Sequence, residues 1–206
     1  MEGEYRIRKI TMQMFFALLI VSFFFSMTKY TGSLENKKSG LPDCISIDSI
    51  NSGDLICRLG NGYFSDVFRQ FSGGEKRFSH IGIAHFQDSL CYVIHAEASE
   101  FTGQGGVRMD MLDKFIEHSL DYQFFHITSD SIRQRIDSLA YEYFKMGIQF
   151  DLCFDLTSDT TLYCTELVAN CINKAMGNPD YIPTYSLSPD FKCYRISDIL
   201  ESNLIR

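Results

Sequence analysis

Leu162-Tyr163-Cys164-Thr165-Glu166-Leu167-Val168 decides how this chain folds. It closes a polar, turn-like segment, Ser158 to Thr161, and opens an apolar run in which Leu167, Val168, Cys171, Ile172 and Ala175 recur at helical spacing. The spacing predicts a helix with one buried face and Cys164 in or near its first turn. There the unpaired backbone N–H groups and the positive end of the helix dipole favour a thiolate over a thiol. A thiolate so placed is an activated nucleophile once a histidine can reach it. Without such a partner the same cysteine is a small buried hydrophobe.

The partners are sought in two strand-like runs upstream, Ser79–Phe86 and Cys91–Ala96, joined by Gln87-Asp88-Ser89-Leu90, a length suited to a hairpin. If Phe86 pairs with Cys91, the register carried back along both strands sets His80 opposite Glu97. His95 then lies two places along on the same face, and such diagonal neighbours are ~7–8 Å apart. His85 has the opposite parity and points to the other face. His85, His118 and His126 read as ordinary core or surface residues rather than catalysts, and Asp54, Asp151 and Glu166 as structural, holding turns and the helix entry.

Working outward, Leu55–Leu59 reads as a strand, and Tyr63, Val67, Phe68 and Phe71 recur at helical spacing. Val107–Met109 and Tyr122–Ile127 read as strands and Met111–His118 as a short helix. Ser129–Met146 is an amphipathic helix. The tail from Gly177 carries prolines and a last strand or helix near Cys193–Leu200. Helices and short antiparallel strands alternate irregularly, which predicts an α+β domain over residues 44–206. Residues 1–30 join Arg6, Arg8 and Lys9 to an uncharged run from Met14 to Met27. That order suits a secretory signal peptide or a retained membrane anchor. Residues 31–43 read as linker.

The net charge of -7 argues against nucleic acid as a partner. Seven cysteines without a CxxC pair fit neither a zinc knuckle nor a disulfide scaffold. Cys57, Cys91 and Cys153 read as small hydrophobes in strand-like runs. No cofactor is called for, and the oligomeric state is left open.

Six segments in order, Gly53–Ile56, Phe78–Ile83, Val93–Ala96, Gly106-Val107, Phe150-Asp151 and Tyr163–Val168, resemble the circularly permuted NlpC-type papain-like cysteine hydrolases of the YiiX/YebB-like group. The resemblance spans most of the chain after the leader. It implies an antiparallel sheet or small barrel packed on the helix that bears the nucleophile. The histidine strands precede the cysteine helix, which is the permuted order. The resemblance makes Cys164 the nucleophile, His80 its general base and His95 the third group, at a position where some relatives carry glutamate. Tyr163 is expected to line the substrate pocket, and the Cys164 backbone N–H to donate to an oxyanion.

The activity implied is amide hydrolysis in the bacterial cell envelope, on a cell-wall peptide, through an acyl-enzyme. Lecithin-retinol acyltransferase-like proteins share the His/His/Cys set, so a lipid acyl hydrolase or acyltransferase is the alternative. Two other readings are a zinc site formed by His80, His95 and Cys164, and a non-catalytic lipid- or peptide-binding module.

Overall fold

The computed structural model describes residues 50–206, apart from residues 75, 100–101, 159 and 189–190 and the side chains of Tyr63 and Phe64. These residues belong to the unit spanning Asp43–Arg206. The expected leader, the linker and the domain boundary at residue 44 lie outside the described residues.

Alternating apolar residues set the central hairpin. Strands β2 (His80–Gln87) and β3 (Leu90–Ala98) pair antiparallel, with Ile83 opposite Ile94 and Phe86 opposite Cys91, which is the expected register. The connection is tighter than expected, because Gln87 and Leu90 still pair. Only Asp88 and Ser89 turn the chain, at φ 50° and 64°. Two successive left-handed residues form the turn whose twist matches that of the flanking strands.

Around this hairpin lie β1 (Leu55–Leu59), β4 (Gly105–Met111), β5 (Asp121–Phe125), β6 (Gln149–Phe150) and β7 (Thr161–Leu162). The seven strands run in the order β5-β1-β2-β3-β4-β6-β7. Every neighbouring pair is antiparallel except β6–β7, which is parallel. The sheet is therefore mixed and open rather than a closed barrel. Short β8 (Tyr185–Ser188) and β9 (Phe191–Cys193) form a separate hairpin in the tail, where no hairpin was expected.

Five helices complete the described fold: α1 (Tyr63–Phe71), α2 (Leu112–Ile116), α3 (Asp130–Met146), α4 (Cys164–Met176) and α5 (Ile196–Leu200). None is long and apolar enough to cross a membrane. Strand alternation divides the core between the faces of the sheet. Leu55, Cys57, Ile81, Ile83, Ile94 and Ala96 meet the apolar side of α4, where Leu167, Val168, Cys171, Ile172 and Ala175 are all at most 1% exposed. Each of the larger aliphatic side chains so buried contributes about 1.5–3 kcal/mol. Ile56, Ala84 and Val93 face the other way, onto Leu112 and Phe115 of α2 and onto Phe124.

Asp54 and Asp151 hold the frame, as expected. Asp54, 1% exposed, accepts the N–H groups of Asn51 and Ile127 and a ring nitrogen of His126. Asp151 accepts the N–H groups of Cys153 and Asp155. Cys153 thus lies in a bend held by a carboxylate, not in a strand. His85 does point to the opposite face, where Nδ1 is 2.7 Å from Asp137 Oδ1 of α3 and the ring stacks on Tyr141.

Candidate active site

Four adjacent strands place a row of polar side chains on the α2 face of the sheet. Arg58 of β1 is paired with His80 of β2, and His95 of β3 with Arg108 of β4. Glu97 and Asp110 share that face, being two residues from His95 and from Arg108. His80 Nε2 lies 2.9 Å from His95 Nδ1, and His95 Nε2 lies 3.2 Å from Asp110 Oδ2. Arg108 Nε donates to Asp110 Oδ2 at 2.7 Å and Nη2 to Oδ1 at 2.8 Å, while Lys114 Nζ approaches Oδ1 at 3.3 Å. Arg58 is ion-paired with Glu97. Phe115 of α2 covers the row, its ring centroid 5.6 Å from His80, 4.9 Å from His95 and 4.8 Å from the Arg58 guanidinium carbon.

Burial governs how these groups titrate. It pushes His80 well below the ordinary imidazole value, and His95, Arg58 and Arg108 act in the same direction. Burial also lowers His95, against the bond to Asp110 and the charges of Glu97 and Asp110. The bond from His95 is foremost in holding the Asp110 carboxyl far below its usual range, with Arg108 adding to it against partial burial. At neutral pH the row is two neutral imidazoles backed by a carboxylate.

Cys164 is the first residue of α4, as its sequence context predicts. Tyr163 before it is extended, and Glu166 Oε2 reaches back to accept the Tyr163 N–H at 3.4 Å. The shift of the thiol runs opposite to the expected lowering. Burial pushes Cys164 up to about 11, and the backbone N–H groups of Ile81, Thr165 and Cys164 itself only partly oppose it. The helix terminus does favour the thiolate, but desolvation outweighs it.

The structure brings His80 and His95 together. It sets the Cys164 sulfur against the backbone of Ile81, the residue after His80, and among the described residues no hydrogen bond joins that sulfur to either ring. Tyr163 takes a different place from the one expected. It is 2% exposed, its ring packs on Phe154, and its hydroxyl accepts the N–H of Tyr194 at 2.9 Å. Thr165 Oγ1 donates to the Tyr194 carbonyl at 2.8 Å. Both residues tie the start of α4 to Tyr194 at the end of the tail hairpin. Asp110 and Phe115 escaped the sequence reading. The strand predicted over Val107–Met109 stops one residue short of Asp110, and its alternation with Arg108 was the available signal.

A cavity of about 480 Å³ opens beside the row, lined in part by Glu97, Ser99, Gln104 and Arg108.

Residues 49–187 match the family described as permuted papain-like amidase enzyme, YaeF/YiiX, C92 family. The chain belongs to that family. Membership makes it a hydrolase of the amidase type with the α+β fold described above. Among solved structures it is similar to metalloprotein YiiX from Escherichia coli O157:H7, with 18% identity and a TM-score of 0.61 over 76% of this chain and 94% of that one. No curated protein matches it.

The likeness to a metalloprotein calls for a test of the donors in this amidase. His80, His95 and Glu97 each offer one ligand atom within 4.8 Å of the others, a nitrogen and oxygen set of the kind divalent metals take. Cys164 is not in that group. Arg58 already engages Glu97, and its guanidinium is held over Phe115. A cation would have to enter beside a fixed guanidinium that holds one of its three donors. As arranged, the Arg58 guanidinium competes with a cation for Glu97.

Proposed function

We propose that this amidase is a cysteine hydrolase. Cys164 Sγ attacks an amide carbonyl, and His80 takes the thiol proton and passes it to the leaving amine. A thioester on Cys164 results, and water then hydrolyses it with His80 as base again. The observation that supports this most is the 2.9 Å bond between His80 Nε2 and His95 Nδ1. It occupies one nitrogen of His80 and leaves Nδ1 for the thiol, one residue from the backbone that meets the sulfur. Catalytic hydrogen bonds are often long before substrate binds and tighten in the complex.

The resting state is set by the opposite shifts of the two groups. A thiol pushed up to about 11 beside an imidazole pushed down stays neutral, as does the imidazole. The thiolate therefore forms as attack occurs, by general-base transfer, and is not stored beforehand. The Cys164 N–H at the helix terminus supports the developing oxyanion.

The substrate class we propose is a cell-wall peptide, met by an exported enzyme whose N-terminal segment is cleaved or retained in a membrane. The basic-then-apolar order of that segment and the acidic composition support this setting. The cavity beside Glu97 and Arg108 offers both signs of charge to a peptide with free ends.

The test incubates the full-length chain with soluble cell-wall peptides and follows amine release together with the intact mass of the protein. Cleavage with a transient acyl adduct on Cys164, absent in Cys164→Ala, is the expected result. Undiminished turnover in Cys164→Ala would sink the proposal. Acyl release from phospholipid vesicles with no peptide cleavage would instead assign the lipid activity.

A further inference from the structure

The catalytic assignment leaves a part-buried charged group unused, the Asp110 carboxylate behind His95. We propose that Asp110 is a positioning residue that fixes, through His95, which nitrogen of His80 carries the proton. The inference rests on the Cys164–His80 reading above.

The proton inventory carries it. Asp110 is ionised and can only accept, so the nitrogen facing it, His95 Nε2, is the one that bears hydrogen. A neutral imidazole has one N–H, so His95 Nδ1 is bare. The nitrogen opposite it at 2.9 Å, His80 Nε2, must then donate. That leaves Nδ1 as the basic nitrogen of His80, and among the described residues it has no hydrogen-bond partner. A single carboxylate thus sets two tautomers in sequence. When His80 takes the thiol proton on Nδ1, the imidazolium keeps its Nε2–H bond to His95, and the carboxylate beyond stabilises the charge.

The neighbours make this role specific to Asp110. Glu97 is also near both rings, but Arg58 holds it. His95 is fully buried, so water does not compete for its nitrogens. Arg108 donates to both oxygens of Asp110 and Lys114 approaches Oδ1, which keeps the carboxylate charged and fixed. Phe115 closes the remaining side of both rings.

These contacts predict how Asp110→Asn behaves. The amide must turn its NH2 to one side. At the Oδ1 position it opposes two cationic donors, Arg108 Nη2 and Lys114 Nζ. At the Oδ2 position it opposes one cationic donor, Arg108 Nε, and an imidazole that can move its proton to the other nitrogen. The second arrangement loses less. His95 then carries its hydrogen on Nδ1 and donates to His80 Nε2, and His80 holds its proton on the nitrogen meant for the thiol. A carboxylate-to-amide change of this type leaves geometry intact and lowers turnover by presenting the wrong tautomer.

Two measurements on the full-length chain test this. Long-range proton–nitrogen NMR correlations of the imidazoles at pH 7 read the tautomers directly. The expected result is Nε2–H on both rings in the parent and Nδ1–H on both in Asp110→Asn. Nδ1–H on His95 in the parent would overturn the proposal without any variant having to fold. The second measurement is the rate of Cys164 alkylation by iodoacetamide at pH 7, a step that needs no substrate. His80→Ala and Asp110→Asn should each slow it roughly 10- to 100-fold. Asp110→Glu, which keeps an acceptor, should restore part of the rate. A slow His80→Ala with an unchanged Asp110→Asn would overturn the relay and leave the Cys–His reading standing. An unchanged His80→Ala would remove the pairing itself and the relay with it.

Discussion

Replacing Tyr163 with Phe separates the two roles open to the residue before Cys164. The change deletes one hydroxyl and keeps the ring, so the packing on Phe154, with centroids 4.8 Å apart, persists. What is lost is the 2.9 Å bond from the Tyr194 N–H. A net hydrogen bond is worth about 1 kcal/mol, and an N–H left unpaired away from water adds to that. Tyr194 is half-buried, so water can partly replace the lost acceptor, and the expected cost is about 1–2 kcal/mol. With a urea slope of roughly 2 kcal/mol per molar, the unfolding midpoint falls by about 0.5–1 M. Urea titration by circular dichroism measures it, beside Cys164 alkylation and turnover of the native variant. The expected outcome is a lower midpoint with kcat/KM nearly unchanged. An unchanged midpoint with a fall in kcat/KM would refute the structural role and return the phenol to the substrate pocket.

Two further outcomes follow from the imidazole pair. Gly82 lies on β2 beside β3, and a Cβ there would sit 2.5 Å from Val93 Cγ1 and 3.1 Å from His95 Cβ. Gly82→Ala should cost about 1–3 kcal/mol by overpacking and shift the His80 and His95 ring resonances; unmoved resonances in a stable variant would contradict the close approach. His80 and His95 have folded-state values below that of a free imidazole, so below about pH 6.5 the unfolded chain binds protons that the native chain refuses. Stability is then complete above pH 6.5 and falls as pH drops through the folded values, with a slope of about 1.4 kcal/mol per pH unit for each group. Urea midpoints at pH 7, 6 and 5 should decline, and less steeply in His80→Gln; a flat series would show that the rings are not buried neutral.

What the sequence revealed depended on how local the determining contacts are. The β2–β3 register was legible because both strands alternate and the turn is short, so pairing Phe86 with Cys91 placed both histidines on one face. Helix α4 was legible from its own apolar spacing, and Gly177 ends it in the left-handed conformation at φ 66°. Cys164 could be placed on its helix, but its titration could not be foreseen. The helix terminus is visible in sequence, whereas the burial that raises the thiol depends on sheet residues packed against α4, such as Cys57, far upstream in the chain. Tyr163 was misplaced for the same reason. Its partner, Tyr194, follows a tail hairpin whose short strands carry little periodic signal. Asp110 lies at the end of a seven-residue strand that pairs with β3 across a separate turn, so its approach to His95 required a second register that the residues alone did not fix.

The order of the elements also sets a timetable. His80 and His95 share a hairpin closed by two residues, and such local structure forms within microseconds of being available. The thiol is encoded well downstream, on α4. The roughly seventy residues between His95 and Cys164 take on the order of 3.5–14 s to synthesise. For that interval a nascent chain carries the paired imidazoles with no Cys164 sulfur beside them. Under the proposed cysteine mechanism, hydrolytic competence therefore arrives late in translation, when α4 docks onto strands already in place.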